Sequence, residues 1–249
     1  MAKITETGHA KTLANFKELC SFVSSYGTDY NPSNAKLSLA SLQLLSSDAQ
    51  NSLYALNEAA SAYSSCVSAR DEAFESLKKL STRILNALKA TETTAQVDDT
   101  VRTLVRKIQG TRAKAKLTDD EKKALEAKGE EKILEISASQ TSFNSRLEHL
   151  DKLIKLLAGI PQYKPNEEDL KIESLTALYN VLMAKNAAVV NAGVPVSNNR
   201  IARNDILYKV DTGLTDIALA VKAYIKSLFG ATSPQFKQVS GLAFKTLKT

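Results

Sequence analysis

One phrase is written twice in this chain. Residues 29–42 read DYNPSNAKLSLASL and residues 162–175 read QYKPNEEDLKIESL, so Tyr30, Pro32, Leu37, Ser41 and Leu42 fall on Tyr163, Pro165, Leu170, Ser174 and Leu175. Sliding 30–90 along 163–223, a constant offset of 133, gives 16 identities in 61 pairs. Chance gives roughly five in so Ala/Leu/Ser-rich a chain. Leu45 with Leu178, Ala59 with Ala192, Arg70 with Arg203 and Ile84 with Ile217 belong to the same alignment; upstream, with one residue dropped, Leu19, Phe22 and Val23 meet Leu153, Leu156 and Leu157. A second echo, VRTLVRKIQG (101–110) against VKAYIKSLFG (221–230), has an offset of 120 and competes with the first over 221–223. Its matched terminal glycine favours it there, and it implies an insertion of about 13 residues near TETTAQ in the first copy. Such repetition predicts two related modules.

The module reads as helical. Only 9 Gly and 5 Pro punctuate 249 residues, tryptophan is absent, and the strand-forming residues rarely alternate. Each copy has a short helix ending at Gly27 or Gly159, a Y-x-P connection that blocks helix continuation, and then a long helix. Leu42, Ala49, Leu56 and Tyr63 recur every seven residues in the first, with Leu45, Ala59 and Cys66 between; Leu175, Leu182, Val189 and Val196 do so in the second, with Leu178 and Ala192 between. That heptad pattern calls for neighbouring helices at shallow angles. Further helices are predicted near 70–91, 98–110, 199–210 and 214–229. Gly193 and Pro195 predict an early end to the second long helix, and Asp211 with Gly213 marks another break. Thr118 and Glu121 form a capping box, and a helix is expected from about 130 to 158, with Phe143, Leu147, Leu150, Ile154 and Leu157 on one stripe. In the tail, Phe236, Val239, Leu242, Phe244 and Leu247 fit neither helix nor strand, and predict an extended arm laid into a groove of its own or of a neighbour. The expected fold class is therefore all-α: an elongated helical bundle of two pseudo-repeats of long heptad-patterned helices, with an extended C-terminal arm. Its parts would be a first repeat (1–117), a connecting helical segment (118–140), a second repeat (141–230) and the tail (231–249).

Charge says less. The net charge of +6 is divided evenly, with 17 basic and 14 acidic groups in residues 1–125 and 16 and 13 in the rest. Locally it clusters: residues 101–118 hold Arg102, Arg106, Lys107, Arg112, Lys114 and Lys116 without a carboxylate. Two cysteines, Cys20 and Cys66, make no disulfide framework and are read as reduced core thiols. No signal-peptide-like or membrane-length apolar run is present, so a soluble, cytoplasmic chain is expected, with export by another route left open.

Reactive groups are sparse. The histidines are His9 and His149; Glu6 and His9 have metal-ligand spacing, but a helical di-metal site needs two such pairs and further carboxylates. There is no glycine-rich phosphate loop, nucleophile elbow or activated-thiol pattern. The carboxylate pairs Asp98/Asp99, Asp119/Asp120 and Glu167/Glu168 suit helix N-termini. No enzyme activity, metal, cofactor or small-molecule substrate is inferred. The first expectation is a scaffold or assembly subunit acting through protein–protein contacts and self-associating, with Phe236, Val239, Leu242, Phe244 and Leu247 as arm contacts. The second is sequence-nonspecific nucleic-acid binding through two basic helix ridges, with Arg102, Arg106, Lys107, Arg112, Lys114, Lys222 and Lys226 on phosphates. The third is membrane activity centred on NAAVVNAGVPV (186–196).

Overall fold

The computed structural model describes residues 8–111 and 142–245, and every regular element among them is helical. In order these are α1 (His9–Ser25), α2 (Leu39–Glu75), α3 (Leu77–Lys89), α4 (Ala95–Gln109), α5 (Phe143–Ala158), α6 (Ile172–Tyr208), α7 (Leu214–Phe229) and α8 (Pro234–Ser240). Short 3-10 turns at Ala35–Leu37 and Glu168–Leu170 precede the two long helices. The capping box at Thr118 and the upstream part of the helix expected from 130 lie outside the described residues.

Local chemistry accounts for many of the ends. Thr94 accepts from the Val97 amide at the start of α4, and Gly110 closes that helix in the left-handed conformation. Ser142 accepts from the Ser145 amide at the start of α5, and Ser233 from the Phe236 amide at α8, where Pro234 occupies the first helical position. After α6 the chain turns through Asp211 at positive φ. A Cβ on Gly213 would sit 2.5 Å from the Lys209 amide nitrogen, so only glycine fits that turn.

The offset of 133 carries Leu39–Glu75 onto Ile172–Tyr208, both of 37 residues, and Ala35–Leu37 onto Glu168–Leu170. The aligned heptad lines have matching burial in their first half, where Leu42 and Ala49 are buried as Leu175 and Leu182 are; Val189 and Val196 are buried too. Further along α2, Leu56 is half-buried and Tyr63 exposed. The early end expected at Gly193 and Pro195 does not occur, and α6 runs on to Tyr208. Proline within a helix costs about 3 kcal/mol, chiefly by removing one N–H donor and crowding the carbonyl four residues back. That carbonyl belongs to Asn191, an exposed residue as Pro195 is, so water can take the missing donor's place.

The chain packs as two units, one of residues 1–63 and 192–249 and the other of residues 64–191. Both long helices pass from one unit into the other. In the first unit, Phe16, Leu19, Leu42 and Ala49 pack with Leu207, Leu214, Val221, Ile225 and Val239. There the second half of α6 lies along the middle of α2: the Asn199 amide donates to the Ala55 carbonyl at 3.0 Å, and Gly193 faces the Tyr63 ring. In the second unit, Phe74, Leu77, Ile84, Leu88, Val101, Val105 and Ile108 pack with Leu150, Leu153, Leu157, Leu175 and Leu182. Each fully buried Leu or Ile in these cores contributes about 1.5–3 kcal/mol. Within its own unit α3 packs on the turn at Glu168–Leu170, and α7 on the turn at Ala35–Leu37.

The tail corrects a further expectation. Residues 234–240 form helix α8 where extended chain was expected. Its residues become periodic only once the N-cap at Ser233 is recognised: Phe236 and Val239 are three apart and both turn inward. Residues 242–245 have no regular structure.

Candidate functional site

The residues that sequence marked as an arm pack on their own unit. Val239 is fully buried, and Phe236, Leu242 and Phe244 lie against the same core; Leu247 is outside the described residues. Three polar anchors fix the path. Lys222 Nζ donates to the Ser240 and Leu242 carbonyls at 2.9 and 3.0 Å, Asn15 to the Ala243 carbonyl at 2.9 Å, and the Tyr26 hydroxyl to the Gln235 carbonyl at 3.1 Å. Burial pushes the Lys222 ammonium below its ordinary pKa.

The basic ridges are thus unequal. Lys222 is committed inward, and Lys226 stands 5.8 Å over the Phe236 ring. In the second unit Arg102 pairs with Asp99, Arg106 donates to the Thr103 hydroxyl at 3.3 Å, and Lys107 is exposed. Arg112 and Lys114 lie outside the described residues. The two ridges belong to different units.

A feature that sequence reasoning missed joins the end of α2 to the start of α5. The Arg70 guanidinium sits 3.7 Å above the Phe143 ring, Arg146 sits 5.1 Å above Phe74, and the two rings meet edge-on at 4.9 Å. Arg146 also donates to the Phe74 carbonyl at 3.2 Å, near the C-terminus of α2, where a cation complements the helix dipole. These four residues line a cavity of about 780 Å³ together with Asp71, Glu72, Glu75 and Lys78. Its opposing charges and stacked guanidinium groups describe a clasp between helices. Only the aromatic–arginine pairing, which is non-local, could have pointed to it.

His9 Nδ1 lies 2.7 Å from the Tyr208 hydroxyl, and burial, aided by Arg203, lowers its pKa. His149 is buried on the α5 stripe and lowered by burial and by Lys107. Cys20 and Cys66 are free thiols, and burial pushes Cys20 up to about 11, the opposite of an activated nucleophile. Among the described residues no His, Cys, Asp and Glu cluster could hold a metal ion, and no helix is long and apolar enough to cross a membrane.

What remains is surface. Along α6, Met183, Val190, Val194 and Ile201 are 47%, 65%, 55% and 60% exposed. They form a second line beside the buried one of Leu182, Val189 and Val196, about 100° further round the helix. Sequence analysis singled out part of this stretch as 186–196, but not its orientation. No family model, curated protein or solved structure matches the chain.

Proposed function

We propose that the chain is a non-catalytic helical assembly subunit, built from two copies of one module and acting through protein–protein contacts, with a second copy of itself among its partners. The observation that carries this is the exposed apolar line on α6, because a helix apolar on both sides normally has both sides covered. The matched lengths of α2 and α6, the matched turns before them and the 16 aligned identities support the two-copy reading. Each core draws on both copies: Leu13 to Ala49 with Leu207 to Val239 in one, Phe74 to Ile108 with Leu147 to Leu182 in the other. A single module would leave half of each core open, which is the situation that helix exchange between two chains resolves.

Sedimentation over a range of concentrations tests the assembly reading. A mass that rises with concentration supports it, and a strict monomer throughout counts against it. The nucleic-acid reading retains Arg102, Arg106 and Lys107 on α4 but loses Lys222 to backbone carbonyls, and the membrane reading retains the apolar stretch of α6.

A further inference from the structure

The C-terminal segment sits on its own unit as a peptide sits in a groove. Helix α8 packs on α1 and α7, and all three belong to the first unit. Among the described residues, the hydrogen bonds that hold the segment run one way. Lys222 Nζ, the Asn15 amide and the Tyr26 hydroxyl donate, and the carbonyls of Gln235, Ser240, Leu242 and Ala243 accept. None of these bonds uses a side chain of the segment. Its side chains are sorted by polarity instead: Phe236, Val239, Leu242 and Phe244 turn in to the core, whereas Lys237, Gln238, Ser240 and Lys245 are exposed. Main-chain bonds that give affinity, with apolar sites that give selection, are the working parts of peptide-recognition grooves.

The attachment can open without disturbing the rest of the unit. Gly230 leaves α7 at φ 91°, a conformation glycine adopts freely, and a Cβ there would meet nothing within 4 Å. Ala231 and Thr232 are exposed, and Ser233 bonds back to the Gly230 carbonyl and on to the Phe236 amide, not to α1. Of the segment's inward side chains only Val239 is fully buried; Phe236, Leu242 and Phe244 are half-buried. A terminal segment held by so few buried groups opens at a lower free energy than the unit as a whole. Opening bares a groove, and every copy of the chain carries the segment that fits it.

We propose that the groove between α1 and α7 receives residues 234–245 of a second copy of the chain, exchanged with its own segment about the hinge at 230–233. The exchanged contacts are the ones already described, and only the hinge changes, which makes exchange a low-cost route to association. The proposal rests on the self-association reading above and names its segment and its receptor. The tethered segment competes for its own groove at an effective concentration on the order of millimolar. Exchange between unaltered chains is therefore weak and rises with concentration, and removing the tethered competitor strengthens it.

The test uses two full-length variants. Lys222→Glu disables the groove by setting a carboxylate against the Ser240 and Leu242 carbonyls, and Leu242→Asp disables the segment. Both positions are half-buried, and circular dichroism checks that helicity is kept. In sedimentation each variant alone should stay monomeric. An equimolar mixture should form a 1:1 dimer at concentrations at least about tenfold below those at which the unaltered chain associates. The freed segment of Lys222→Glu then fills the vacant groove of Leu242→Asp. A mixture that stays monomeric overturns the exchange. The assembly reading survives that result if the unaltered chain still dimerises, and falls with it if the unaltered chain is monomeric throughout. Where either substitution lowers helicity, a chain lacking Ala231 and Thr232 replaces the mixture: its shortened hinge should force dimers, and a monomer overturns the exchange. A fluorescent peptide of residues 231–249 should bind the Leu242→Asp chain. Equally tight binding of a scrambled peptide would overturn the assignment to a second copy and leave a general apolar-peptide groove.

Discussion

The hydroxyl of Tyr30 donates to the carbonyl of Leu37 at 2.8 Å, and Tyr163 donates to Leu170 at 2.9 Å in the same way. The repeated phrase thus has a structural meaning. The tyrosine ties the start of the Y-x-P loop to the 3-10 turn seven residues on, and so sets how each long helix begins. All four residues are buried.

Because these bonds are buried, Tyr30→Phe and Tyr163→Phe should each leave a carbonyl unsatisfied, at a cost of about 1–3 kcal/mol. Urea unfolding of the two variants should show losses of similar size. No loss at either site would mean that the tyrosines only fill space.

The same burial makes stability pH-dependent. It pushes the Tyr163 phenol up to about 12 and raises Tyr30 too. The folded chain then keeps protons that the unfolded chain gives up near its ordinary value of about 10. This contribution is whole below about pH 10 and is lost as pH rises toward about 12. Unfolding free energies measured across that window should fall less steeply in Tyr163→Phe. Identical slopes would rule out this tyrosine as a source.

Much of this architecture was legible in residue spacing, and what was not depended on tertiary choice. Leu42, Leu175 and Leu182 could be placed on helical core faces because a heptad line is local information. Pro195 could not be judged, because its tolerance depends on whether the Asn191 carbonyl meets water or protein. Phe236 and Val239 looked irregular because α8 is only 7 residues long, too short for periodicity to stand out. The division of both long helices between two units was invisible, since a heptad line states that a face is covered but not by which partner. For the same reason the two apolar lines of α6 are alike in sequence, and only the structure separates the covered Val189 from the exposed Val190. Of the candidate contacts, Lys222 looked as free as Arg106 because its carbonyl acceptors are 18 and 20 residues away.

The Arg70–Phe143 stack should contribute about 0.5–2 kcal/mol as a pair. A double-mutant cycle with Arg70→Ala and Phe143→Leu reads that coupling directly in urea unfolding. Additive losses would show that the guanidinium merely lies beside the ring.

The account depends most on each core being shared by both halves of the sequence. The direct measurement is to prepare residues 1–117 and 118–249 as separate fragments, and to follow helicity and thermal unfolding of each alone and of an equimolar mixture. Neither fragment should fold as a monomer, because each holds only half of either core, and mixing should restore a cooperative transition. A fragment that unfolds cooperatively as a lone monomer would contradict the account.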